Sequence, residues 1–309
     1  MTSIRTTGPP LTILLTGRQG QIGWELCRSL APLGKVIALD YPQIDYAHPE
    51  SLRSLLREIR PNIIVSAAAY TAVDKAQEEK ALAMTINAEA VDVLAREAKR
   101  LNALVVHYST DYVFDGTKPG PYREDDAPCP LNAYGASKLA GDINLRESGC
   151  ACLIFRTSWV YGVRGNNFLL TMLKLGRDRD NLRVIDDQIG APTWSRLVAQ
   201  ASTLALAKLA ASREKGWDES CLGIYNMTSA GSTSWYGFAR EIFQKAAAAG
   251  WCPLPDIQAI ASEDYPLPAA RPRNSCLNND KLFNVFGLAL PSWEIALSLC
   301  MDELPCVLP

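Results

Sequence analysis

Through the first 160 residues, apolar positions alternate between two patterns: short continuous runs, and longer stretches in which they recur every three or four residues. The runs at 11–15, 36–39, 63–65, 104–107 and 153–155 read as strands buried on both faces. Between them, Ile22, Leu26, Leu30 and Leu33 keep helical spacing until Gly34 interrupts it. Leu52, Leu55, Leu56 and Ile59 define a second helix. Met84, Val91, Leu94 and Ala98 define a long third one, and a further helix begins near Tyr134. Strands alternating with helices predict an α/β fold with a Rossmann-type doubly wound parallel sheet, whose ligands sit at the carboxyl ends of the strands.

Beyond Trp159 the alternation fades into shorter runs and Pro-rich connections near 253–272. The pattern therefore divides the chain into a dinucleotide-binding domain over 1–160 and a smaller, interleaved α/β substrate-binding lobe over most of 161–309. A helix at 197–209 and a strand at 223–227, in the stretch 195–228, are expected to return to the main sheet.

Composition narrows the function classes. With 48% apolar and 21% charged residues, the chain is neither disordered nor fibrous. Thirty-one Lys and Arg against 33 Asp and Glu leave a net charge of -2, which argues against nucleic acid or an anionic membrane surface as partner. The longest apolar candidate, 197–209, contains Gln200, Ser202, Thr203 and Lys208, so no membrane span is expected. Residues 1–10 lack an apolar h-region, and a cytoplasmic location is the expectation. Nine cysteines without a CxxC pair, beside two histidines, suggest reduced thiols rather than zinc or disulfides.

The segment from Thr16 to Gly23 joins the first strand to the first helix with glycines at 17, 20 and 23. Glycines there let a backbone approach a pyrophosphate at the helix N-terminus. Asp40 ends the second strand, where a carboxylate can accept hydrogen bonds from an adenosine ribose and repel a 2′-phosphate. Arg18 offsets that repulsion by offering a pair to such a phosphate, so the residues leave both NADH and NADPH open.

Tyr134 and Lys138 lie four apart and share a helix face, and a nearby ammonium lowers the pKa of a phenol that must release a proton. Ser109, Thr110 and Asp111 follow the fourth strand directly, a position from which the Thr110 hydroxyl can reach a substrate carbonyl.

The glycine turn, the run Ser109-Thr110-Asp111-Tyr112-Val113-Phe114, the Tyr134-Gly135-Ala136-Ser137-Lys138 helix start and the strand Arg156-Thr157-Ser158-Trp159-Val160-Tyr161-Gly162 together resemble the extended short-chain dehydrogenase/reductases. Within them they resemble the dTDP-4-dehydrorhamnose reductase family. The segments 67–76, 165–168, 187–193 and 271–275 extend the resemblance to nearly the whole chain. It implies reduction of the C4 ketone of a dTDP-4-dehydro sugar by NADPH or NADH. Tyr134 would donate the proton, Lys138 would lower its pKa and hold the nicotinamide ribose, and Thr110 would polarise the ketone. The cofactor would lie along Gly17, Gly20, Gln21 and Ile22, with Asp40 at the ribose, Asp45 and Tyr46 at the adenine end, and Ala69, Tyr70, Thr71 and Tyr108 bordering it. Thr110, Asp111 and Trp159 would touch the sugar nucleotide, the indole covering a sugar ring. The stretch 166–168 and the pair Arg271 and Arg273 would neighbour its diphosphate.

Some family members bind Mg²⁺ through three glutamates at a dimer contact. Glu25 and Glu303 match two of these positions and Arg196 stands at the third. An arginine repels a cation, so no metal is predicted, the chain is expected to be a monomer or weak homodimer, and Glu25 is free to pair with Arg196. Two other readings remain open here: a non-catalytic regulatory subunit similar to the methionine adenosyltransferase β subunit, and a nucleotide-sugar epimerase or dehydratase holding NAD⁺ tightly.

Overall fold

A computed structural model describes residues 10–211 and 216–304; residues 1–9 of the N-terminal reading and Cys306 lie outside the described residues. Six parallel strands make one sheet. In spatial order they are Gly223–Asn226, β5 (Cys152–Thr157), β4 (Leu104–Thr110), β3 (Ile63–Ser66), β1 (Leu11–Thr16) and β2 (Gly34–Leu39). The apolar runs have this cause: β3, β4 and β5 are buried at every residue, because helices cover both faces.

Alternate residues of each strand feed two cores. Ile13, Leu15, Val65, Val106 and Phe155 pack on one face, beneath α1 (Gln21–Ser29) and the helix Ser195–Ala211. Leu14, Ile64, Val105 and Ile154 face the other, beneath α2 (Ser51–Ile59) and the helices that follow β3. The helix expected at 197–209 thus lies over the sheet beside α1, and Gly223–Asn226 adds a sixth strand next to β5. The chain leaves β1 toward β2 on one side and returns to β3 on the other. The switch point that opens a crevice is therefore between the carboxyl ends of β1 and β3.

The third helix is not continuous. It runs as α3 (Lys75–Glu78), α4 (Lys80–Met84), a π-helical turn over Thr85–Glu89, and α5 (Ala90–Leu101). A π turn widens the helix by one residue and is invisible to a 3.6-residue period. Here it delivers Asn87, 1% exposed, into the polar layer described below.

After α6 (Ala133–Ser148) and β5, a separate apolar cluster forms around Leu169, Phe238, Ile242 and Leu297. It belongs to the helices Phe168–Asp178, Trp235–Ala248 and Trp293–Met301 and a parallel pair, Asn181–Ile185 with Asp256–Ile260. Among the described residues no helix is long and apolar enough to cross a membrane.

Candidate active site at the carboxyl ends of the strands

The turn after β1 is built around close backbone approach. Gly17 has φ +74°, and a Cβ on it would lie 2.5 Å from the Ala68 nitrogen. A Cβ on Gly23 would sit 1.9 Å from the Gly17 carbonyl oxygen, whereas one on Gly20 would meet only that oxygen, at 3.3 Å, with open space beyond. Gly20 caps α1 without a side-chain bond, and the first turn carries no acidic residue. The cradle that a Cβ at Gly20 would fill, and the helix N-terminus behind it, fit a pyrophosphate.

Gln21 turns its side chain elsewhere: its amide donates to the Val160 carbonyl and its Oε1 accepts from Asn167 Nδ2 at 3.0 Å, leaving only its backbone toward the turn. Asn167, in the stretch expected near the diphosphate, thereby ties the helix Phe168–Asp178, which it caps, to the turn. Ile22 packs against the core beneath. Asp40 accepts from the backbone N–H groups of Gln19 at 2.8 Å and Tyr41 at 2.9 Å, which fixes its carboxylate beside the turn. Arg18 is exposed next to it.

Two tyrosines expected at the cofactor belong to the core. Tyr46, 5% exposed, bridges Thr16 Oγ1 at 2.7 Å and Ser66 Oγ at 3.0 Å, and burial pushes its phenol up to about 12. Its side chain ties β1 to β3. Tyr108, 7% exposed, donates to Ser202 Oγ at 2.9 Å and so pins the sheet to Ser195–Ala211. Both carry a large apolar ring with one polar tip, and the sequence does not distinguish a tip satisfied internally from one offered to a ligand. Asp45 pairs with exposed His48 at 2.9 Å, and this contact lowers its carboxyl pKa. It lines a surface hollow of about 440 Å³ with Gln43, Ser51 and Leu55.

Ala69, Tyr70 and Thr71 lie on the loop after β3. Asn87 clamps that loop at both backbone atoms of Tyr70, accepting from its N–H at 2.9 Å and donating to its carbonyl at 3.0 Å, and also donates to Ser137 Oγ. The Tyr70 hydroxyl reaches Glu79, which pushes its pKa up to about 12.

At the end of β4, Thr110 Oγ1 donates to Asp111 Oδ1 at 3.0 Å and accepts from the Tyr112 N–H. Tyr134, from the first turn of α6, comes within hydrogen-bonding reach of Thr110, and its ring stands edge-on to Tyr112 with centroids 5.9 Å apart. Burial pushes the Tyr134 phenol up. Thr110 pulls it down, and the carboxylates of Asp111 and Asp142 raise it further. Lys138 does not enter this balance, and its ammonium has a partner on β4.

That partner is His107. Lys138 Nζ lies 3.0 Å from His107 Nε2, with both side chains buried, and burial draws the lysine down to about 8 against the pull of Asp142. Asp142 sits one turn further along α6, accepts from Ser109 at 2.8 Å and pairs with Arg156 of β5 at 3.5 Å. Asp111 is buried as well; desolvation lifts its carboxyl to about 6, with Ser275 and Thr110 opposing, and its Oδ2 has no partner. None of His107, Asp142, Arg156 or Asn87 was singled out from the sequence. A signal existed for Asp142, since residues 134, 138 and 142 repeat at i, i+4, i+8 on one helix face.

Trp159 adopts φ +46°, unusual for a bulky residue, and stacks on Trp235 with centroids 3.6 Å apart and planes 9° from parallel. A Cβ on Gly190 would fall 2.6 Å from its ring. The indole face expected to cover a sugar is therefore already occupied. Trp235 in turn donates from Nε1 to Gln188, a contact the sequence did not indicate. Arg271 is likewise engaged, forming a two-pronged pair with Asp74 at 2.7 and 2.9 Å, while Arg273 is exposed beside Glu263. A hollow of about 530 Å³ opens beside Ser275, lined by Lys118, Ile189, Ser229, Asn274, Cys276 and Asn279.

Arg196 does pair with Glu25, at 3.1 Å, and also with Glu303, closing the three positions into an ion triad within one chain. Among the described residues no group of three or more His, Cys, Asp or Glu could hold a metal ion.

Residues 11–306 match the family model described as the RmlD substrate binding domain. The chain is 49% identical over 297 residues to a dTDP-4-dehydrorhamnose reductase of Burkholderia thailandensis, covering 95% of this chain and 99% of that protein. It is 45% identical to one from Escherichia coli K12, over 95% of this chain and 98% of the other. Among solved structures, a dTDP-4-dehydrorhamnose reductase of Bacillus anthracis in complex with NADP superposes with a TM-score of 0.85 at 36% identity, covering 95% of this chain and 99% of that one. Glycine turn, Thr110–Tyr134 pair and full-length similarity agree, and the chain belongs to the dTDP-4-dehydrorhamnose reductase family.

Proposed function

We propose that this protein reduces the C4 ketone of dTDP-4-dehydro-β-L-rhamnose to dTDP-L-rhamnose, the last step in making that activated sugar, with NADPH or NADH as reductant. The observation that carries the reading is the meeting of Thr110 and Tyr134 at the end of β4, in a chain similar over its full length to reductases of that name. The nicotinamide, when bound, supplies the hydride. The backbone at Gly17, Gly20, Gln21 and Ile22 would hold its pyrophosphate, and Asp40 its adenosine ribose. Exposed Arg18 offers a pair to a 2′-phosphate, which fits the NADP in the Bacillus anthracis relative.

Thr110 would hydrogen-bond the substrate carbonyl, and Tyr134 would deliver a proton to the oxygen as negative charge develops on it. Burial keeps the phenol protonated but makes it a weaker acid, and the Lys138 ammonium would offset this by stabilising the phenolate it leaves. Asp111 and Trp159 would contact the sugar nucleotide, the latter after leaving Trp235. In the triad of Glu25, Arg196 and Glu303 a guanidinium stands between the two carboxylates where a cation would sit, which supports a metal-independent enzyme; we take it to act as a monomer or weak homodimer in the cytoplasm.

The test is cofactor absorbance with dTDP-4-dehydrorhamnose generated in situ. Stoichiometric oxidation of NADPH or NADH with formation of dTDP-L-rhamnose is expected. A folded protein that consumes neither overturns the reading and favours a regulatory subunit.

A further inference from the structure

Lys138, His107, Asp142, Arg156 and Ser109 form a buried layer beneath Tyr134, spanning β4, β5 and α6, and each is at most 4% exposed. An ammonium can only donate, so the 3.0 Å contact from Lys138 Nζ requires His107 Nε2 to be the bare acceptor and places the imidazole proton on Nδ1. Nδ1 is buried without a partner. Among the described residues the contact to Lys138 is the one hydrogen bond of the ring, with Asp142 Oδ1 standing off at 3.9 Å from the same nitrogen. Close packing makes the reach possible: a Cβ at Gly141 would lie 2.2 Å from the Asn87 carbonyl oxygen and 3.7 Å from His107 Nε2, so only glycine lets α6 approach there.

We propose that His107 is a positioning residue for Lys138: its Nε2 seats the ammonium beneath Tyr134, while Asp142, held by Ser109 and Arg156, balances the charge.

With His107 neutral, two cations face one carboxylate in a dry layer, an arrangement that is costly until a further anion joins it. The phenolate left on Tyr134 after proton transfer is such an anion. The layer is therefore charged in favour of the state that follows the reaction, and the proposal rests on the reductase reading. The titratable groups facing the seat are Tyr134 and Asp142 from α6, His107 from β4, Arg156 and Cys152 from β5, and Asp111 beyond Thr110; the π turn contributes only neutral Asn87.

His107→Met removes the acceptor, His107→Gln supplies another in the amide oxygen, and Asp142→Asn removes the balancing charge. Each loss makes the ammonium less favourable, so the lysine releases its proton at lower pH. In the wild type kcat is expected to fall as pH rises through about 8, where Lys138 loses its proton. In His107→Met and Asp142→Asn that limb should move down by about half a pH unit or more. His107→Met should lose about 10-fold or more in kcat with both KM values within about 2-fold. His107→Gln should recover most of the rate and the wild-type limb. The proposal is overturned if the limb stays put in both His107→Met and Asp142→Asn, or if His107→Gln is as impaired as His107→Met with both KM values raised. Should His107→Met fail to fold, His107→Gln and Asp142→Asn still decide by the same limb. A wild type that consumes no cofactor defeats the reductase reading instead.

Discussion

The two ends of the site differ in how their polar groups are spent. At the glycine turn, the backbone of Gly20 and the start of α1 face open space, uncapped by any side chain of their own. At the end of β4 the opposite holds: Thr110 is bound to Asp111 and the Trp159 face to Trp235. The cofactor end is a mould ready for an anion. The catalytic end must exchange internal partners for ligands, which makes substrate binding there a competition rather than a simple docking.

The first way to break that contrast is to remove the ammonium. Lys138→Met should lower kcat by about 100- to 1,000-fold in a steady-state assay, the usual range for a group that assists proton transfer. Next in size is the filling of the mould. In Gly20→Val the new side chain meets little of the protein, so the fold should survive while cofactor Kd, read by fluorescence titration, rises about 100-fold or roughly 2.7 kcal/mol. The KM for the sugar nucleotide should change little.

A smaller effect is expected where a competitor is removed. Trp235→Ala frees the Trp159 face, and the sugar-nucleotide KM should move by about 3- to 10-fold, with a change in indole fluorescence on binding that the wild type shows differently. An unchanged KM would mean that the stack does not compete with substrate. Outside both ends, Arg196→Met leaves Glu25, 6% exposed, facing Glu303 without its cation. A denaturant midpoint should report a loss of about 2 kcal/mol, below the range for fully buried pairs because Arg196 is partly exposed. Turnover should persist in a metal chelator for the wild type.

The same contrast explains what was legible in the sequence. Strands β3 to β5 announced themselves because burial on both faces forces continuous apolar runs, and the glycine turn because Gly17 and Gly23 have no sterically possible substitute with a Cβ. Thr110, Tyr134 and Lys138 stand out by spacing and placement, and their expected roles come from the family resemblance; the structure brings Thr110 to Tyr134 and Lys138 to His107. Hidden were the partners that come from elsewhere in the chain. His107 looked like the end of an apolar strand, Asn87 lay in a π turn that no regular period marks, and Trp235 met Trp159 across 76 residues. The internal partners of Tyr46 and Tyr108 are equally hidden, since an amphipathic ring can satisfy its hydroxyl inside the core.

The most direct measurement is single-turnover hydride transfer in Tyr134→Phe, with cofactor affinity measured on the same preparation. Loss of about 1,000-fold in rate, with cofactor Kd within about 3-fold of wild type, is the expected result for a phenol that donates the proton without holding the pyrophosphate. A variant that keeps more than about a tenth of the wild-type rate would contradict that role and move the proton donor to another group.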